Sequence, residues 1–195
     1  MRKIIYLISP KKIQKNFYRE LDEVLSYKNV AFFQLRLKNF DKKKILNIAI
    51  KVKKITDRHK VKFLINDDYL LALKAEADGC HLGQLDGPFS VARKKLKKKL
   101  FGITCHNSKI LAKKALEYNP NYLAFGSFYK SKLKPRAIKA NLEIIKWAKN
   151  NTKKPIVVIG GITNKNYRKL IKCGAKYIAL SSFIWDNPKL NLNLQ

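Results

Sequence analysis

Acidic residues are scarce in this sequence. It has 13 Asp and Glu against 43 Lys and Arg, a formal net charge of +30 over 195 residues, so the position of each acid carries information. Cysteine is scarce as well. Cys80, Cys105 and Cys173 form an odd, scattered set. Their spacing matches no metal site or disulfide framework, and free thiols in a reducing cytoplasm are the expectation. Long apolar runs are missing. None approaches the ~18 residues that a membrane span needs, and the apolar stretch of MRKIIYLISPKK is too short for a secretory signal. Neither a Gly-x-Gly-x-x-Gly fingerprint nor a Walker loop is present to mark nucleotide binding.

What is present is an alternation. Short apolar segments at 3–9, 31–36, 61–66, 77–83, 100–104, 122–126, 155–161 and 176–182 read as strands. Segments at 14–27, 41–58, 68–76, 89–98, 108–118, 140–150 and 164–173 read as helices. In 41–58, Ile45, Leu46, Ile48, Ala49, Val52 and Ile55 share one face at helical spacing, with lysines opposite. Hydrophobic residues make up 46% of the chain, and no linker-like segment interrupts it. Eight strands alternating with helices suggest a (β/α)8 TIM barrel spanning 1–195 as a single domain, with an open doubly wound sheet as the competitor.

The positive charge is mostly lysine. Only seven of the 43 cationic residues are arginine, and the lysines are spread through runs such as DKKKILNIAIKVKKI and ARKKLKKKL. A solvated outer face explains such a pattern. A basic field that attracts anionic substrates or nucleic acid is the functional alternative. Arg-poor composition without an RNA-binding aromatic motif or a DNA-reading helix makes nucleic acid the weaker of these.

In a barrel, chemistry gathers where strands end. The second strand runs into Gln34-Leu35-Arg36-Leu37-Lys38. Alternation sends the leucines toward the helices and Gln34, Arg36 and Lys38 toward the mouth. A guanidinium there suits a phosphate or pyrophosphate, bound bidentately with Lys38 as a second cation. Pairing of Arg36 with Asp67 or Asp86 is the structural alternative. The third strand ends in Asn66-Asp67-Asp68 and the fourth in His81-Leu82-Gly83-Gln84-Leu85-Asp86. Adjacent strands would let Asp67 and Asp86 share one Mg²⁺. Capping the next helix is the competing role for Asp67 or Asp68.

The fifth strand ends in Thr104-Cys105-His106-Asn107-Ser108. Thr104 or His106 could bond a ligand, and Ser108 reads as a helix cap. Cys80-His81 and Cys105-His106 are poor zinc ligands, because strand neighbours point to opposite faces. After the sixth strand comes the basic loop Lys130-Ser131-Lys132-Leu133-Lys134. The seventh strand ends in Gly160-Gly161 and the eighth in Ser181-Ser182, ahead of a short helix. The loops after strands 7 and 8 form the recurring phosphate site of such barrels.

In this order, QLRLK, INDD, HLGQLD, GITCH and IGGI resemble the thiamine-phosphate synthase family over nearly the whole chain. The resemblance implies condensation of 4-amino-2-methyl-5-hydroxymethylpyrimidine pyrophosphate with a thiazole phosphate, giving thiamine phosphate and pyrophosphate. It implies that pyrophosphate leaves first and that the thiazole nitrogen captures a pyrimidine cation. It places Gln34, Arg36, Lys38, Asn66 and Lys134 on the pyrimidine pyrophosphate, with Thr104 beside the pyrimidine. Asp67 and Asp86 would hold Mg²⁺, leaving Asp68 as the cap. Ser131, Gly160, Gly161, Ser181 and Ser182 would hold the thiazole phosphate.

The resemblance also implies an enzyme acting on phosphorylated small molecules; the scattered thiols make a cytoplasmic one the expectation, and an oligomer is left open. One departure is Leu133, which stands where the family's Pro-Thr-x-Thr-Lys run carries a second hydroxyl. The related thiazole tautomerases share the barrel but generally lack the paired acids. His106 keeps that activity as an alternative.

Overall fold

In a computed structural model, which describes residues 3–130 and 139–187, eight parallel strands close into a barrel in sequence order. The strands are β1 (Ile5–Ile8), β2 (Val30–Leu35), β3 (Lys62–Asn66), β4 (Gly79–Leu82), β5 (Leu100–His106), β6 (Tyr122–Gly126), β7 (Ile156–Ile159) and β8 (Tyr177–Leu180). The helices between and after them are α1 (Phe17–Leu25), α2 (Lys42–Arg58), α3 (Tyr69–Lys74), α4 (Phe89–Leu96), α5 (Lys109–Leu116), α6 (Leu142–Asn151), α7 (Tyr167–Lys172) and α8 (Ser182–Trp185). Pairing of β1 with β8 closes the ring and excludes the open sheet.

Two apolar layers follow from strand alternation. Tyr6, Ile8, Leu64, Tyr122, Ala124, Val157 and Ala179 fill the barrel interior. Their neighbours along the strands, among them Leu7, Phe33, Leu35, Ile65, Cys80, Ile103 and Phe125, face the helices. There they meet residues such as Leu21, Val52 and Ile145. In α2, Ala49, Val52 and Ile55 are buried as the sequence pattern expects. Cys80 and Cys105 are free thiols in this outer layer, whereas His81 points inward. The strand geometry thus separates the cysteine–histidine neighbours.

Helix starts are set by side chains that accept from otherwise unpaired N–H groups. Asp41, Asp68, Ser108 and Asn141 cap α2, α3, α5 and α6. Several elements are shorter than expected. Asp68 caps from outside the helix, so α3 starts at Tyr69, and Glu76 in the left-handed region (φ 53°) lies just beyond its end. Strand 8 stops at Leu180, because Ser181 (φ −139°, ψ −90°) leaves the extended path and Ser182 begins α8. Strand 5 is longer than expected and reaches His106 through an irregular register opposite Phe125.

Candidate active site

The C-terminal ends of β2, β3 and β4 assemble one polar corner. Gln34 pairs in register with Leu64, and Asn66 pairs with His81. This places Gln34 and Asn66 side by side inside the barrel, where Gln34 Nε2 donates to Asn66 Oδ1 at 2.7 Å. Gln34 is only 2% exposed, so the bond fixes its amide at the floor of the mouth.

β2 ends at Leu35, so Arg36 and Lys38 lie in the loop above it rather than in the strand. Leu35 and Leu37 pack in the outer layer as expected. The Arg36 backbone is tied to Ser9. The Arg36 N–H donates to Ser9 Oγ at 2.9 Å, and Ser9 Oγ donates to the Arg36 carbonyl at 3.3 Å. Lys38, rather than Arg36, forms the ion pair with Asp67, at 3.6 Å.

Asp67 and Asp86 come together. Asp67 has a left-handed backbone (φ 66°), and its N–H donates to the His81 carbonyl at 2.8 Å. Asp86 Oδ2 accepts from the Gly83 N–H at 2.7 Å. The two carboxyls interact, and the Asp67 carboxyl is pushed up from 3.8 to about 6. Burial is the largest cause and contact with Asp86 the next, while Lys38 and Arg36 pull the other way.

Asp68 is different. Its Oδ1 caps Leu71 N–H at 2.8 Å, and its Oδ2 lies 2.8 Å from Lys42 Nζ. Burial opposes ionisation of Asp68, but these partners outweigh it and hold the carboxyl below its ordinary value. Of the adjacent acids, Asp68 is therefore occupied as a cap, and Asp67 faces Asp86.

This pair fits a small hard cation. Two half-buried like charges close together repel each other, and a divalent ion between them would remove the penalty. Among the described residues no group of three or more His, Cys, Asp or Glu is placed to hold a metal ion. A site with two carboxylates leaves most of an octahedral shell to phosphate oxygens and water, the pattern that Mg²⁺ favours.

Beside this corner, on β5, Thr104 Oγ1 lies 2.7 Å from His81 Nε2, and the Thr104 carbonyl accepts from Gln84 Nε2. Burial pushes His81 down to about 4, which keeps its imidazole neutral. His106 is exposed and has a left-handed backbone (φ 52°).

Gly160 (φ 106°) and Gly161 (φ 60°) turn the chain against the loop after β6. A Cβ on Gly160 would come within 1.9 Å of Ser127 Oγ, and one on Gly161 within 2.4 Å of the Lys130 carbonyl oxygen. Backbone shape and close approach both require glycine here. Ser181 Oγ donates to the Ser9 carbonyl at 3.2 Å, so its proton is already engaged. Ser182 opens α8 next to it. Ser131, Lys134 and the Leu133 departure lie outside the described residues.

Several contributors were not singled out from sequence. Ser9 ties β1 to both Arg36 and Ser181. His81, Tyr122 and Tyr6 form a hydrogen-bonded line behind Thr104. His81 lies within HLGQLD, and its alternation with Cys80 was the available sign that it points inward.

A closed parallel barrel with cations, paired acids and a glycine turn at its C-terminal rim defines a (β/α)8 enzyme built to handle phosphorylated substrates. The family model described as thiamine monophosphate synthase matches residues 5–184. This chain belongs to that family. It is 53% identical over 189 residues to the thiamine-phosphate synthase of Pelagibacter ubique (strain HTCC1062), covering 96% of this chain and 91% of the relative. It is 38% identical over 190 residues to that of Erythrobacter litoralis (strain HTCC2594), covering 95% and 89%. The solved thiamine phosphate pyrophosphorylase from Pyrococcus furiosus superposes with a TM-score of 0.83 at 27% identity, covering 96% of this chain and 91% of that chain. These relatives lend no support to the tautomerase or nucleic-acid alternatives.

Proposed function

We propose that this protein makes thiamine phosphate from 4-amino-2-methyl-5-hydroxymethylpyrimidine pyrophosphate and a thiazole phosphate, releasing pyrophosphate. Family membership carries the reaction. The observation that carries the site is the meeting of Asp67 and Asp86 beside Lys38 and Arg36.

In this reading Gln34 and Asn66 orient the pyrimidine substrate at the floor of the mouth. Arg36 and Lys38 hold its pyrophosphate end and stabilise the charge that builds there as the bond to carbon breaks. Asp67 and Asp86 would hold Mg²⁺, which supplies charge neutralisation on phosphate oxygens. Gly160, Gly161, Ser181 and Ser182 bind the thiazole phosphate at the adjoining strand ends. Thr104 lies on the pyrimidine side. No side chain is required as a base for bond formation at the thiazole nitrogen, so positioning and electrostatics supply most of the rate.

The same reading makes the protein a cytoplasmic enzyme, which suits its free thiols. Among the described residues no helix is long and apolar enough to cross a membrane.

The test is direct. Purified protein is incubated with both substrates, with Mg²⁺ or with chelator, and the product is identified by mass. Thiamine phosphate that appears only with Mg²⁺ supports the reading. Absence of product under both conditions removes the reaction, and undiminished product in chelator removes the metal.

A further inference from the structure

Inside the barrel runs a line of four polar side chains. Tyr6 Oη lies 2.8 Å from Tyr122 Oη. Tyr122 Oη lies 2.9 Å from His81 Nδ1, and His81 Nε2 lies 2.7 Å from Thr104 Oγ1. Tyr6 and Tyr122 are each 2% exposed. Tyr6 is therefore the blind end of the line, and Thr104, at the mouth, is the open end. Gly102 makes room for it, since a Cβ there would come within 1.9 Å of the Tyr122 ring.

The protons in this line can be counted. Each hydroxyl has one, and a neutral imidazole has one N–H. In the outward arrangement Tyr6 donates to Tyr122, Tyr122 donates to Nδ1, and Nε2–H donates to Thr104 Oγ1. Every buried proton then has an acceptor, and the Thr104 proton is left facing the mouth. In the inward arrangement Thr104 donates to Nε2, Nδ1–H donates to Tyr122, and Tyr122 donates to Tyr6. The proton of Tyr6 is then stranded, because Tyr122 is the only hydrogen-bond partner of Tyr6 Oη among the described residues. A doubly protonated imidazole strands the same proton. Buried donors without acceptors are strongly disfavoured in folded proteins, so the outward arrangement prevails.

We infer that Tyr6, Tyr122 and His81 hold the Thr104 hydroxyl as a hydrogen-bond donor into the mouth, where it receives an acceptor atom of the substrate. On the function proposed above, that acceptor is a ring nitrogen of the aminopyrimidine rather than its amino group. Tyr122 and His81 are positioning residues in this scheme, acting on the substrate through Thr104.

Protein carrying isotope-labelled histidine tests the line by proton–nitrogen correlation, which reports the ring nitrogen that bears hydrogen. His59→Gln and His106→Gln remove the signals of the other two histidines. The expected result is His81 protonated on Nε2, and protonation on Nδ1 would overturn the inference. Tyr6→Phe should leave Nε2–H in place, because Tyr122 still has only Nδ1 to donate to. A switch to Nδ1–H in that variant counts against the line.

Tyr122→Phe should leave Nε2–H in place but remove the donor to Nδ1, so the imidazole loses one of the two contacts that orient it. It should also raise KM for the pyrimidine pyrophosphate about five- to tenfold, with KM for the thiazole phosphate unchanged. A packing role alone would lower the active fraction and leave both KM values in place, and that outcome would sink the positioning role. The tautomer is read without substrates, so failure of this line and failure of the proposed function appear in different experiments.

Discussion

The carboxyl of Asp67 just past β3 interacts with the carboxyl of Asp86 beyond the end of β4; the Asp67 backbone N–H is anchored on the His81 carbonyl, and the Asp86 carboxyl accepts from the Gly83 N–H. The two belong to different strands and share no local sequence pattern. Their convergence is what a shared cation requires.

Asp86→Asn keeps the shape of one ligand and removes its charge. Turnover should fall on the order of a hundredfold or more, and added Mg²⁺ should recover part of it. Thermal unfolding of the metal-free variant should match or exceed that of the parent, because the repulsion between two half-buried carboxylates is gone. Steady-state rates across a Mg²⁺ titration check the first outcome, and a melting curve in chelator checks the second. Unchanged turnover at ordinary Mg²⁺ would release Asp86 from the metal site.

The raised Asp67 pKa makes stability depend on pH. The folded protein keeps the Asp67 proton up to about pH 6, whereas the unfolded chain loses it in the ordinary carboxylate range. The folded state therefore binds more protons between those limits. The stability contributed by this group falls as pH rises through that window, then levels off above it. Denaturation midpoints measured in chelator should show the decline. Asp67→Asn should flatten it, and a slope that persists in that variant would belong to another group.

Arg36→Lys retains a cation and loses the planar fork. We expect kcat/KM for the pyrimidine pyrophosphate to fall roughly ten- to a hundredfold, and further in Arg36→Ala. Folding should be unaffected in both, because the anchors from Arg36 to Ser9 are backbone atoms. Initial rates and circular dichroism together separate the two effects.

Gly160→Ala adds a methyl group 1.9 Å from Ser127 Oγ at a φ of 106°. The combined clash and strain should destabilise the protein by about 1–3 kcal/mol. If this turn holds the thiazole phosphate, KM for that substrate should rise more than KM for the pyrimidine. Urea denaturation and two-substrate kinetics read the two quantities. Equal changes in both KM values would separate the turn from the thiazole.

The sequence made most of the architecture legible. Period-two alternation in FFQLRLK separates Gln34 from Leu35, and the one-sided apolar face of residues 41–58 marks α2, because both patterns are local. Asp68 and Ser108 were readable as caps for the same reason. The ends of α3 and β8 were less legible. They turn on backbone angles at Glu76 and Ser181 that no residue type dictates. Ser9, Tyr6, Tyr122 and His81 escaped notice as a group, since each is an ordinary residue in its own strand or loop.

By itself, the chain determined the alternation of eight strands with helices, the order of its motifs and the placing of scarce acids at strand ends. Only the tertiary structure decided which acid meets which, that Lys38 rather than Arg36 pairs with Asp67, and that a line of hydroxyls lies behind Thr104. Those contacts join residues on separate strands. They exist only once register is set, as between Asn66 and His81, and once β1 has closed against β8. Closure is a property of the whole ring and is written in no single segment.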